Sequence, residues 1–371
     1  MNSKARVINI VSGKGGTGKT LFTAVLANML GDSRKKVLAI DLDIFVRGLT
    51  VFLYHDRRGA YKVVHDGEVS VSEYFREMGK YLQKKEENDA QNSEESVNML
   101  QDQFALKIPA QRFKAFDVWP SVGELNIVIE EFRDVVPNSF GTAKEILKEA
   151  LRDLVSQYDY ILIDSRAGYD ELIAAIHCVS DMTICVEEDD RISSYTSDNL
   201  VRQLEASDDK ERSENKSKRG KRIIQRVRNK AGKDKDNDDA IPFDKDIMDS
   251  FGEDMLWDVI PGSLYKDHLA KVWNAISLKM RNSGISGWDS QLERKRSSPV
   301  PGKKLESSLQ MFNNFGRAII TVAILMIFLS IVMLVLASTV QDVGFSEMIP
   351  LASLVVGFSF LIYAIFINGR R

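Results

Sequence analysis

Residues Ser12 to Thr20 read SGKGGTGKT and follow the apolar run Val7–Val11. Gly13, Gly18, Lys19 and Thr20 meet the spacing G-x-x-x-x-G-K-[ST] of a phosphate-binding loop. The chemistry explains the residue types. Glycines at 13, 15, 16 and 18 let the backbone wrap a phosphate chain, with successive N–H groups turned inward on either side of Thr17. Lys19 is placed to reach the β- and γ-phosphates, and Thr20 offers a hydroxyl to Mg²⁺. The helix expected over LFTAVLANML aims the positive end of its dipole at the same anion. A strand of β-branched residues before the loop and a second strand, Lys36–Ile40 ending in Asp41, supply the context such a loop needs.

Lys14 adds a second lysine at the head of KGGTGKT. With it, the loop resembles the deviant Walker A motif of the ParA/MinD family, a SIMIBI-class group of P-loop ATPases. Further segments fit that pattern in order, so the resemblance covers nearly all of residues 4 to 280. It implies that Lys14 reaches across a dimer interface to the phosphates of the partner's nucleotide. In IDLDIFVRGLT, Asp41 and Asp43 sit two apart at a strand end, so both can face the loop. The resemblance makes this the first switch region. There Asp43 orients the attacking water, or a water held by Mg²⁺, and Asp41 supports the metal and the loop. In YDYILIDSRAGYDEL a strand delivers Asp164 to the position of a Walker B aspartate that holds Mg²⁺ through water. Gly168, four residues on, is then placed for its N–H to sense a γ-phosphate.

The chain departs from the family here. Ser165-Arg166-Ala167 stands where family members often have two prolines before the glycine, which puts the rate of hydrolysis in question. Arg166 reads either as a residue acting on a partner's phosphates or as a surface arginine. AFDVWPS, residues 115 to 121, resembles an architectural strand and proline turn. An asparagine after the sixth strand commonly reads the adenine edge in the family; Gln225 and Asn229 are the candidates in IIQRVRNK, and Pro261 would begin a loop over the base. ATP and Mg²⁺ are the implied ligands.

These residues need a scaffold. Strands are expected at Val7–Val11, Lys36–Ile40, Ala115–Trp119, Tyr160–Ile163, Met182–Val186, Ile223–Val227 and Leu256–Ile260, several of them continuously apolar as parallel strands buried on both faces are. Helical patterns lie between them, at Thr142–Gln157 and Ser193–Leu204 for example. The alternation gives an α/β fold, a doubly wound, mostly parallel sheet over residues 1–281. Two charged insertions interrupt it, at about 81–103 and 205–240. The second has a basic centre, KSKRGKRIIQRVRNKAGKDK, that keeps nucleic acid or anionic lipid contact possible but not favoured, because Ile223, Ile224 and Val227 read as core.

Residues 282–308, rich in Ser, Gly, Pro and charge, read as a linker to a membrane anchor over residues 309–371. Ala318–Ser338 and Ile349–Ile367 are two uncharged apolar runs, each about the 20 residues that cross a bilayer, and together they form an expected C-terminal transmembrane hairpin. Lys303, Lys304, Arg317, Arg370 and Arg371 flank the runs, whereas the loop between them carries only Asp342 and Glu347. The positive-inside bias then puts both termini and the phosphate-binding loop in the cytoplasm, at a multi-pass inner membrane protein.

Bulk properties set few other limits. The 371 residues carry a net charge of −3, which gives no global pull toward nucleic acid. MNSKARVINI runs straight into the first strand and leaves no room for a secretory signal. Cys178 and Cys185 lack C-x-x-C spacing and read as buried thiols in a reducing compartment. His55, His65, His177 and His268 have no metal-site spacing. The expected function is a membrane-anchored ATPase switch that dimerises over ATP and is read by an unidentified protein partner. A nucleotide-gated scaffold with little turnover, in a defence or secretion assembly, is the alternative. A bacterial P-loop tyrosine kinase is less favoured, since its hairpin comes before the ATPase domain and tyrosines do not cluster at this C-terminus.

Overall fold

The computed structural model describes residues 5–54, 63–64, 68–89, 111–125, 139–215, 222–232, 239–251 and 256–282. All belong to the first of two units, Met1–Leu305 and Glu306–Arg371. The linker, both apolar C-terminal runs and their flanking charges lie outside the described residues. Among those described, no helix is long and apolar enough to cross a membrane.

Strand β1 (Arg6–Ser12) is apolar on both faces because it lies in the middle of the sheet. Val7 and Val11 face one layer of the core, while Ile8 and Ile10 face the other. Helix α1 (Lys19–Asp32) covers the second face with Phe22, Val25 and Leu26. Truncating a buried side chain such as Leu26 to alanine costs about 2–5 kcal/mol. Next along the chain come β2 (Val37–Asp41), α2 (Gly48–Tyr54), α3 (Val71–Asp89), β3 (Gln111–Phe113), β4 (Phe116–Trp119) and α4 (Phe140–Leu154). They are followed by β5 (Tyr160–Ala167), α5 (Glu171–Val179), β6 (Met182–Glu188), α6 (Arg191–Asn215), β7 (Ile223–Ala231) and β8 (Ala240–Pro242). Helices α7 (Lys245–Ser250), α8 (Leu256–Val259) and α9 (Leu264–Asn282) complete the described chain, with a 3₁₀ turn at Ile260–Gly262 before α9.

The eight strands lie in the order β3-β4-β2-β5-β1-β6-β7-β8. All pairings are parallel except β3 with β4. The connections leave β1 in opposite directions, toward β5 and β2 on one side and β6 and β7 on the other. That makes its carboxyl end the switch point where α/β sheets bind ligands.

Several sequence expectations change. Leu256–Ile260 is not a strand: it forms α8 and runs into the 3₁₀ turn. Pro261 has no N–H to give a ladder, and Trp257 instead packs against Phe52 and Phe113. The last parallel position is taken by the short Ala240–Pro242. Ala115 is not in a strand; it lies with Lys114, at φ 49, in the β3–β4 turn. Helix α6 extends well past Leu204 into the expected insertion, and α3 extends to Asp89. The remainder of 81–103 lies outside the described residues.

The described cations of the basic segment are engaged internally. Arg222 pairs with Asp208, Arg226 with Glu187 and Asp198, Arg228 with Asp239, and Lys230 with Glu188. Cys178 lies in a buried cluster with Asp208 and Glu211, where Arg222 and Lys144 already neutralise the carboxylates.

Candidate functional site

The loop leaves β1 and closes on α1, whose N-cap is Gly18 at φ 85. No side chain caps this helix end, so its first N–H groups stay available to an anion. Gly18 also tolerates no side chain, because a Cβ there would collide with the Asn229 amide.

Asp164, fully buried within β5, organises the metal side of the loop. Its Oδ1 accepts from Lys19 Nζ at 3.3 Å and from Thr23 Oγ1 at 3.1 Å, and its Oδ2 accepts from Thr20 Oγ1 at 2.8 Å. Lys19, Thr20 and Asp164 are thus gathered at one point, with oxygens suited to a hard divalent cation.

Asp41 and Asp43 part company. The strand ends at Asp41, so the alternation that would keep both carboxylates on one side does not reach Asp43. Asp43 lines the cavity in front of the loop. Burial pushes its carboxyl up, against the pull of the Lys19 charge. Asp41 is absent from that lining and faces the loop's support: it accepts from Thr50 N and Thr50 Oγ1, both at 2.7 Å, and from Asp43 N at 3.1 Å. Burial raises Asp41 to about 7 despite these donors. Thr50 Oγ1 also accepts from Ser121 N at 2.8 Å, which is how the proline turn that ends AFDVWPS braces the first switch.

The cavity has a volume of about 520 Å³. Gly15 to Leu21, Asp43, Phe45, Val46, Arg166 and Ala167 form its loop end. Asn229, Lys230, Pro242, Phe243, Ile247, Met248, Phe251 and Tyr265 form the other. Of the two candidates on β7, Asn229 is on the wall, donating to Thr17 O at 2.8 Å, and its Oδ1 is buried without a partner among the described residues. Gln225 lies away from the cavity, accepting from Lys279 at 2.7 Å. Pro261 is exposed and also away from it. The sequence holds four Ile-Pro steps, at 108–109, 241–242, 260–261 and 349–350, and the one at the cavity is Ile241–Pro242, which β8 carries to the same sheet edge as Asn229. Lys230 and the wall Phe243–Phe251 were missed; the signal available was the position of that Ile-Pro step, the next one after the β7 asparagine.

Lys14 does not line the cavity of its own chain. Its ammonium is held by Glu188 and, at 3.1 Å, by Asp190, hydrogen bonds that raise its pKa. Glu188 also accepts from Lys230 at 2.6 Å, and Lys230 donates to Gly16 O at 2.7 Å. Gly168 is likewise turned aside, its N–H donating to Ser12 O at 2.9 Å. Arg166, read as a possible surface arginine, is on the cavity wall instead.

A sheet with a phosphate-binding loop at its switch point defines a P-loop nucleotide-binding fold. A family model described as an AAA domain matches residues 5–216, and the chain belongs to that family. It is similar to the septum site-determining protein MinD of Helicobacter pylori, 50% identical over 60 residues, which are 16% of this chain and 22% of that protein. The match thus spans about a fifth of that relative's length. Two solved structures are also similar. One is a plasmid partition protein of Borrelia burgdorferi bound to AMPPNP, 18% identical, covering 74% of this chain and 99% of the other at a TM-score of 0.49. The other is MinD of Pyrococcus horikoshii complexed with Mg-ADP, 21% identical, covering 76% and 99% at a TM-score of 0.48.

Proposed function

We propose that this protein is a membrane-anchored ATPase of the ParA/MinD type, whose Mg-ATP-dependent dimerisation and hydrolysis switch its contacts with a partner protein. The observation that carries this reading is the division of labour between the two loop lysines. Lys19 lines the cavity with Thr20, both hydrogen-bonded to the buried Asp164 behind them, whereas Lys14 is outside it, held by the acidic end of β6. A lysine so placed suits delivery to the cavity of a second copy, leaving its own acidic partners on dimerisation.

The residues fit the ligands. An uncapped helix N-terminus and Lys19 face the triphosphate, Thr20 and Asp164 would hold Mg²⁺, and the buried Oδ1 of Asn229 is an acceptor in want of a donor, as the amino group of adenine provides. Bound Mg²⁺ would neutralise phosphate charge. Asp43 lines the same space and would orient the attacking water. The anchor reading is supported by the apolar runs 318–338 and 349–367 and their flanking cations, and with it the ATPase would lie at the cytoplasmic face of an inner membrane. Tethering would confine the two copies to a plane and raise their effective concentration.

One observation favours the low-turnover scaffold as a second reading. The second-switch glycine N–H is engaged with Ser12 in a segment that lacks the family's prolines. ATP turnover by the detergent-solubilised chain, with mass measured in each nucleotide state, separates the two. Hydrolysis accompanied by ATP-dependent dimers supports the switch; tight binding with neither supports the scaffold.

A further inference from the structure

Strand β5 continues past Asp164 to Ala167, pairing Ala167 with Ser12 on β1. Residues 165–167 all keep their backbone N–H, so the ladder need not stop where prolines would end it. Ser165 turns away, donating to Asn9 Oδ1 at 2.6 Å. Arg166, two residues after Asp164, returns to the cavity wall beside Asp43 and Phe45. Its guanidinium sits 5.5 Å from the Phe45 ring centroid and pairs with Asp170. Asp170 has a separate task for its other oxygen, capping α5 by accepting from Ile173 N at 2.8 Å. Arg166 thus joins the loop after β2 to the loop after β5 from a position on the phosphate end of the cavity.

Its partner carboxylate, at a helix end, is 24% exposed and Arg166 is 31% exposed, so the pair is partly solvated rather than sealed in the core. Lys19, by contrast, is committed to a fully buried Asp164. Of the cations lining the cavity, Lys19 is tied to Asp164 and Lys230 to both Glu188 and the Gly16 carbonyl, whereas Arg166 sits beside Asp43 with a planar fork that matches two oxygens of a phosphate. We infer that Arg166 senses the γ-phosphate within its own chain, leaving Asp170 to pair with γ-phosphate oxygens when ATP is bound and returning to Asp170 with ADP. The inference rests on the reading of the cavity as an ATP site. It assigns the altered Ser-Arg-Ala segment the role for which the Gly168 N–H, engaged with Ser12, is not available in this conformation.

The test is the affinity of the full chain in detergent for AMPPNP and for ADP, compared among wild type, Arg166→Ala, Arg166→Lys and Asp170→Asn. Arg166→Ala is expected to weaken AMPPNP about ten- to a hundred-fold, as for one charge-assisted hydrogen-bond pair, with ADP within about two-fold. Arg166→Lys recovers part of the loss, and Asp170→Asn, which keeps an oxygen for the α5 cap, tightens AMPPNP alone. Equal losses for both nucleotides, or an unchanged AMPPNP-to-ADP ratio, would overturn the inference and leave the ATP site standing. A loss confined to the dimeric state would overturn the within-chain assignment. Wild type that bound neither nucleotide would overturn the site and the inference together.

Discussion

The two ends of the cavity are built on different principles. The phosphate end is a dense polar cluster from β1, β2 and β5, in which Asp164 alone engages Lys19, Thr20 and Thr23. The far end is largely apolar, made by Pro242, Phe243, Ile247, Met248 and Phe251, with Asn229 as its polar handle. A phosphate chain demands particular charges and N–H groups at particular spacings, so that end tolerates few changes. A flat ring demands mainly shape and contact area, which many side chains supply.

If that contrast is right, the largest effect comes from Lys19→Ala. It removes the cavity cation nearest the metal side and leaves Asp164 buried without its ionic partner. ATP affinity should fall at least about 100-fold by calorimetric titration, a loss of the size expected for charge-assisted contacts to phosphate. Retained affinity would move the phosphates elsewhere.

Thr50→Val comes next and probes the brace rather than the contact. It removes the hydroxyl shared by Asp41 and Ser121, leaving buried polar groups without a partner. The folded state should lose about 2 kcal/mol in denaturant titration. Little loss would mean that the first switch is not held through Asp41.

The smallest effect belongs to the far end. Asn229→Ala should weaken ATP about five-fold and flatten its preference over GTP, the worth of one hydrogen bond, whereas Gln225→Ala should change neither. Competition binding with the two nucleotides reads this out. A larger effect from Gln225 would reverse the assignment of the base-reading residue.

The same contrast governs what was legible in the sequence. Gly13 to Thr20 and Asp164 are read directly because contiguous spacing and the apolar strand leading into Asp164 fix their places. The central strands were legible too, since Val7–Val11 and Met182–Val186 are apolar on both faces. The base wall was not, because Phe243, Met248 and Phe251 carry no spacing that distinguishes a ligand face from a core face. Leu256–Ile260 misled for a related reason: a short apolar run before a proline fits a strand until another segment takes the sheet edge. Asp41 and Asp43 misled because period-two reasoning was carried two residues beyond the strand's end.

The account's central claim is that Lys14 serves the site of a second copy. Its most direct test is turnover by a mixture of two inactive variants, Lys14→Ala and Asp43→Ala. In a mixed dimer, the Lys14→Ala subunit keeps Asp43 and receives Lys14 from its partner, so one complete site forms. The account predicts that each variant alone is inactive and that mixing restores up to about half the wild-type rate per mixed dimer, the share of one site in two. A mixture as inactive as its components, with mixed dimers present by mass, would show that Lys14 and Asp43 must lie on the same chain and would contradict the account.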